Sequence, residues 1–118
     1  MSIRLGDGLG GFSGTTEVSV DFNPFHAAVG DFNNDGKQDV IVVAAGASKM
    51  NLRLGDGSGG FVDGGGSTVG SSPRAIAVGD FNEDGTQDFA SSPGSATFLS
   101  VGLGGCGLLE VFFANGFE

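Results

Sequence analysis

An internal repeat of 49 residues constrains this chain more than any other feature. Arg4-Leu-Gly-Asp-Gly-Leu-Gly-Gly-Phe12 returns as Arg53-Leu-Gly-Asp-Gly-Ser-Gly-Gly-Phe61, with eight of nine positions identical. Pro24 to Val40 returns as Pro73 to Phe89 at the same offset, and 11 of those 17 positions agree. Two separate motifs sharing one offset mark a tandem duplication, so the chain is built from a repeated supersecondary unit. The 24 glycines decide its kind. Each costs roughly 1 kcal/mol inside a helix, so the unit is made of strands and turns, and a helical bundle is excluded.

The unit divides into four short strands. Ala27 to Val29 and Ala75 to Val78 are apolar runs that follow a proline. Val40 to Ala44 is β-branched without helical spacing and reads as a fully buried strand. Met50 to Leu54 alternates, Gly55 to Gly60 reads as a turn, and Phe61-Val62 opens a fourth strand that fades through Gly64 to Gly66. Four strands in about 49 residues are a propeller-blade signature, or at least a four-stranded meander.

The boundaries follow from the offset. Residues 1–23 are the end of a preceding blade, entered at its third strand. Residues 24–72 are a blade with an acidic loop, 73–104 a second, degenerate blade with the same loop, and 105–118 an apolar tail. The second blade is expected to be imperfect because Ala90 to Thr97 replaces the buried strand. The tail is expected to form a last strand over an open edge. The expected fold is all-β, with about two four-stranded antiparallel blades plus a partial one. A length of 118 over 49 is about 2.4 units, whereas propellers close with about 4 to 8 blades. A larger propeller is therefore the expectation; copies around an axis, or an open two-blade stack, are the alternatives.

Charge narrows the partners. Fourteen acidic residues against five Lys and Arg leave a net charge of −9. That excludes an electrostatic grip on nucleic acid or anionic lipid. No apolar run approaches the roughly 20 residues of a membrane span. Six aspartates recur in two nine-residue loops, Asp31-Phe-Asn-Asn-Asp-Gly-Lys-Gln-Asp39 and Asp80-Phe-Asn-Glu-Asp-Gly-Thr-Gln-Asp88. Carboxylates packed this closely repel one another unless a cation neutralises them.

The shared pattern is D-x-N-x-D-G-x-x-D. A hard divalent cation takes six to eight oxygens. Side chains at positions 1, 3 and 5 converge if the backbone curls, and the glycine at position 6 permits the curl. The candidate ligands are Asp31, Asn33, Asp35, the Lys37 carbonyl and Asp39, and then Asp80, Asn82, Asp84, the Thr86 carbonyl and Asp88. An all-oxygen set favours Ca²⁺ over Zn²⁺ or Cu²⁺, and Mg²⁺ sheds water too reluctantly. Two Ca²⁺ sites are expected. An EF-hand is rejected, because its position 12 needs a bidentate Glu and the residues here are Val42 and Ser91.

Ala28 to Val40, followed by Leu54 to Phe61, resembles the FG-GAP/VCBS repeat family, which includes integrin-α-type propeller blades. The likeness spans about residues 2–104. It implies a β-propeller with Ca²⁺ held between the first two strands of a blade, by the same ten residues. It also implies a secreted or cell-surface scaffold, not an enzyme, that binds a protein or another extracellular ligand, as in adhesion. The alternative is an accessory segment of a secreted hydrolase or lyase whose catalytic part lies elsewhere. Where this chain has Asn33 and Asn82, the family often has Asp. One charge fewer per loop weakens binding and points to millimolar extracellular calcium. No signal peptide is legible in Met1 to Leu5.

Other motifs carry less. Gly6-x-Gly8-x-x-Gly11 and Gly55-x-Gly57-x-x-Gly60 match a dinucleotide fingerprint, but no helical period follows. They read as hairpin turns capped by Asp7 and Asp56. His26 stands alone, with Ala75 as its repeat mate, and is given no catalytic or metal role. Cys106 is the single cysteine, so no internal disulfide forms. Phe12 with Phe61, and Phe32 with Phe81, recur with the repeat and are expected to pack between blades.

Overall fold

The computed structural model describes residues 1–94, 99–104 and 110–114, the last five as backbone only. Cys106 lies outside the described residues. So does most of the C-terminal tail. Ten strands form three antiparallel sheets, and among the described residues there is no helix. No helix, therefore, is long and apolar enough to cross a membrane.

β1 (Ser2–Gly6) and β2 (Phe12–Glu17) make a two-stranded sheet. β3 (Pro24–Gly30), β4 (Asp39–Ala44), β5 (Lys49–Gly55) and β6 (Phe61–Thr68) make a four-stranded meander in that order. β7 (Pro73–Gly79), β8 (Asp88–Pro93), β9 (Leu99–Leu103) and β10 (Glu110–Ala114) make a second one. These sheets are partial propeller blades, and β3 and β4 lie against β7.

The offset seen in the sequence reappears in the pairing. Val29↔Val40 and Gly30↔Asp39 become Val78↔Phe89 and Gly79↔Asp88. Each first strand carries an irregularity at one place, between Pro24 and His26 or between Pro73 and Ala75. A side-chain period of two makes such a register strict, since a one-residue slip would turn the core face to water.

One apolar cluster lies between the two four-stranded sheets. Ile41, Val43, Met50 and Leu52 come from one sheet, Ile76 and Phe89 from the other, and Phe32 and Val69 close it. Ile41 stands opposite Leu52 and Val43 opposite Met50, so β4 and β5 present one face. The second sheet repacks the same position. Val40↔Arg53 in the first sheet becomes Phe89↔Gly102 in the second. A Cβ on Gly102 would collide with the Phe89 ring, so the larger ring and the missing side chain are one joint change. The Ser91 hydroxyl, which replaces the side chain of Val42, is buried without a partner.

Three expectations need correction. β8 forms over six residues despite Ser91, Ser92 and Pro93, because its bonds to β7 and β9 are backbone bonds. β6 does not fade at its glycines. It runs to Thr68, and the ladder absorbs Gly64 and Gly65 in a bulge opposite Leu52, with Gly65 at φ 96°. Recurrent phenylalanines do not share one environment. Phe32 is 2% exposed, whereas Phe81 is 49% and Phe12 71% exposed. A repeated residue is buried only where a neighbouring sheet covers it, and among the described residues Phe32 lies between the two four-stranded sheets whereas Phe12 and Phe81 do not.

That difference is measurable. Phe32→Ala should lower stability by about 3–5 kcal/mol, in the range for a buried aromatic. Phe81→Ala, the same change one repeat on, should cost under about 1 kcal/mol. Chemical denaturation in the presence of a chelator checks both, and equal losses would contradict the burial pattern.

Candidate metal centre

Each acidic loop joins the first two strands of a sheet, between β3 and β4 or between β7 and β8. The two loops have one conformation. The fourth position is left-handed, at φ 60° for Asn34 and 58° for Glu83. The sixth is left-handed again, at 80° for Gly36 and 88° for Gly85. Asparagine and glycine suit such angles, whereas Glu83 accepts them at a cost.

The curl is held by carboxylates. Asp31 accepts the Asp35 N–H at 3.1 Å and the Gly36 N–H at 2.8 Å. Asp80 accepts those of Asp84 and Gly85 at 3.1 and 2.9 Å. Asp35 accepts the Lys37 N–H, and Asp84 the Thr86 N–H, each at 2.9 Å. Position 9 does something further. Asp39 accepts the Phe32 N–H on one oxygen and the Gly55 N–H on the other, both at 3.0 Å. Asp88 does the same with Phe81 at 2.8 Å and Gly104 at 2.9 Å. Both carboxylates are fully buried. Each ties the start of its loop to the end of the third strand, a role that spacing alone did not reveal.

These bonds do not exhaust the oxygens. A carboxylate oxygen has two lone pairs, so one that accepts an N–H retains a site for a cation. In the first loop one oxygen each from Asp31, Asp35 and Asp39 lie within 4.8 Å of one another. Among the described residues this is the one such acidic group. Asn33 donates from Nδ2 to Asp35 at 3.3 Å, while its Oδ1 is buried and accepts nothing. An orphaned buried acceptor costs about 1–3 kcal/mol. Three convergent carboxylates and one unpaired amide oxygen fit a hard divalent cation and give a softer metal no sulfur or imidazole.

The second loop has the same residue types in a looser arrangement. The Thr86 hydroxyl lies 2.6 Å from Asp84 Oδ1 and 2.9 Å from the Gly104 carbonyl, and its single proton serves one of them. That hydroxyl, with the Thr86 N–H, holds the Asp84 carboxyl below the ordinary carboxylate range. Asn82 is exposed here, whereas Asn33 is half-buried.

The glycine-rich turns are capped as the sequence suggests. Asp7 Oδ1 accepts the N–H groups of Leu9 and Gly11 at 2.7 and 3.0 Å. Asp56 Oδ1 accepts those of Ser58 and Gly60 at the same distances. These bonds lower both carboxyl pKa values, and at Asp56 the Lys37 ammonium adds to the effect. His26, assigned no role from sequence, accepts the Ile76 N–H on Nδ1 at 2.9 Å and so links the two sheets. The one hint was that it breaks the repeat, with Ala75 as its mate.

Comparison with known proteins adds one match. The model of a family described as FG-GAP-like repeat matches residues 1–42 and 31–91. No curated protein and no solved structure matches the chain.

The double role of position 9 makes a metal-free prediction. Asp39→Asn keeps the shape but turns an amide NH₂ toward one of two buried N–H donors. It should lower stability by about 1.5–3 kcal/mol, the range for a bond to a charged group. Thermal melts in excess chelator check it, and an unchanged melting temperature would refute the structural role.

Proposed function

The chain belongs to the FG-GAP-like repeat family, and from that premise we propose that it is a calcium-stabilised scaffold of propeller blades that works outside the cell or at its surface. Repeats of this family are generally non-catalytic structural modules, and the chain's chemistry supports the same role. In the acidic loops Asp31, Asp35 and Asp39 hold backbone N–H groups, a structural use of carboxylates.

The observation that carries the calcium reading is the first loop: three carboxylates within 4.8 Å beside a buried oxygen that nothing satisfies. Asp31, Asn33, Asp35, Asp39 and the Lys37 carbonyl would hold the ion there, and Asp80, Asn82, Asp84, Asp88 and the Thr86 carbonyl would hold a second. Bound calcium supplies the positive charge that offsets the carboxylates and a partner for the Asn33 oxygen. The residues themselves do the rest. Asp31 and Asp35 shape the loop, and Asp39 fixes it to the end of β5. An ordered loop in turn sets the positions of β3 and β4, the strands that meet the next blade. Asparagine at the third position leaves three carboxylates per loop, which suits the weak affinity of extracellular calcium modules. A protein or another extracellular ligand is the partner in this reading, bound by the blades without chemistry.

The two loops should bind unequally. Ligand at a hundredfold excess over its Kd stabilises by about 2.7 kcal/mol, which for a domain of this size is upwards of about 10 °C. Calcium should give such a rise and magnesium a much smaller one. Asp35→Ala should remove most of it, and Asp84→Ala less. Identical melts in calcium, magnesium and chelator would overturn the reading.

A further inference from the structure

One face of the first four-stranded sheet carries a row of polar groups. Lys49, Asn51 and Arg53 alternate along β5 and so share a face. Opposite them on β6 stand Thr68, Gly66 and Asp63. The bulge at Gly64 and Gly65 brings Asp63 onto the face of Gly66 and Thr68, since an even ladder would turn it away. Gly66 has no side chain, and the row dips there into a hollow of about 500 Å³. Small-ligand sites measure roughly 300–1,000 Å³. Asn51, on its floor, is 5% exposed. Asp21 covers it: the Asp21 N–H donates to Asn51 Oδ1 at 2.7 Å, and Asn51 Nδ2 donates to Asp21 Oδ2 at 2.8 Å.

The fold uses only part of this capacity. Arg53 donates from Nε to the Ser19 carbonyl at 2.9 Å, and from Nη1 to the Leu52 carbonyl at 3.0 Å and to Asp63 at 2.7 Å. Its Nη2 group carries two further N–H donors. Among the described residues neither these nor the Lys49 ammonium have a partner. A framework role does not account for the set. One repeat on, Ser100 accepts the Gly70 N–H at 3.0 Å as Asn51 accepts that of Asp21, so the bond that holds the segment between two blades is kept. The charges are not kept: Gly70, Phe98 and Gly102 are the sequence mates of Asp21, Lys49 and Arg53. One repeat earlier Arg4 matches Arg53, but Ser2 and Gly14 replace Asn51 and Asp63. The full constellation belongs to one copy.

We propose that this hollow binds a short acidic oligosaccharide, a ligand whose rings carry both carboxylates and hydroxyls. The mixture of signs selects for it. A bare anion would meet Lys49 and Arg53 but be repelled by Asp21 and Asp63, which line the same hollow. A neutral sugar would leave the two cations unanswered, and no aromatic ring lines the hollow for it to stack on. An acidic sugar meets both demands. Its carboxylates take the Arg53 Nη2 edge and the Lys49 ammonium, in charge-assisted bonds. Its hydroxyls donate to the exposed Asp63 carboxylate and pair with the Thr68 hydroxyl. Lys49 and Arg53 lie four residues apart on β5, about 13 Å along the strand, which favours more than one ring. The four charged groups of the hollow sum to zero in a chain of net charge −9, so an acidic ligand is accepted here although the rest of the surface repels it.

The test titrates the full chain with digalacturonate and follows backbone amide signals by NMR. It is run in chelator, so that calcium cannot bridge the ligand to the acidic loops and the outcome is independent of the calcium reading. The signals of Asn51, Gly65, Gly66 and Thr68 should shift saturably. Galactobiose, the neutral counterpart, and succinate, a dianion without hydroxyls, should each bind about tenfold more weakly, the loss expected for one bond to a charged group. Lys49→Gln changes an exposed side chain. It should weaken digalacturonate binding by a similar factor and leave the melting temperature unchanged. Should the chain not fold in chelator, the same series is run in excess calcium, with Lys49→Gln as the control for bridging. No saturable shift, shifts confined to the acidic loops, equal affinity for succinate or galactobiose, or full affinity in Lys49→Gln would each overturn the proposal.

Discussion

The fold turns on a carboxylate that has no access to water. Asp39 and Asp88 are charged groups inside the protein, a placement that costs several kcal/mol without compensation. Each is compensated by two backbone N–H groups from two parts of the chain. The bond to the loop fixes where the second strand begins, and the bond to the third strand fixes where that strand ends. The first three strands of a blade are thereby placed relative to one another by a single side chain. Burial of Ile41, Val43 and Met50 against the next sheet then has a defined surface to act on.

The same economy explains the shape of the acidic loops. Asp31 and Asp35 use some of their lone pairs to hold backbone N–H groups and leave others free. The loop is therefore shaped before any ion arrives, and an arriving ion meets an arrangement with little left to order. The two copies diverge through their surroundings. Phe32, next to the first Asp, is covered by the second sheet, and Asn33 is half-buried with its oxygen unpaired. Phe81 and Asn82, their mates, are not covered by any of the described sheets and stand exposed. Neighbouring blades thus tune the loops as well as bury the core.

Much of this was legible in the sequence because a tandem offset reports on structure directly. The 49-residue period placed the acidic loops between the first two strands of each sheet, and Asp7 and Asp56 at their turns. The rest depended on what lies across a gap, which a period does not encode. Phe32 and Phe81 are identical in sequence context, yet one is core and the other surface. β8 looked too polar and proline-marked to be a strand, but its neighbours' backbone bonds outweigh its weak propensity. His26 seemed idle because its partner, the Ile76 N–H, is 50 residues away. The aspartate at position 9 reads as a ligand by spacing, whereas its two N–H partners lie 7 and 16 residues away in opposite directions along the chain.

Native-state amide exchange followed residue by residue, first in chelator and then in calcium, separates the buried carboxylate from the ion. The amides of Phe32 and Gly55 should be strongly protected in both conditions, because Asp39 holds them without help. Those of Asp35 and Gly36 should gain protection when calcium is added. Free exchange of Phe32 and Gly55 in chelator would show instead that the blade has no frame until the ion binds.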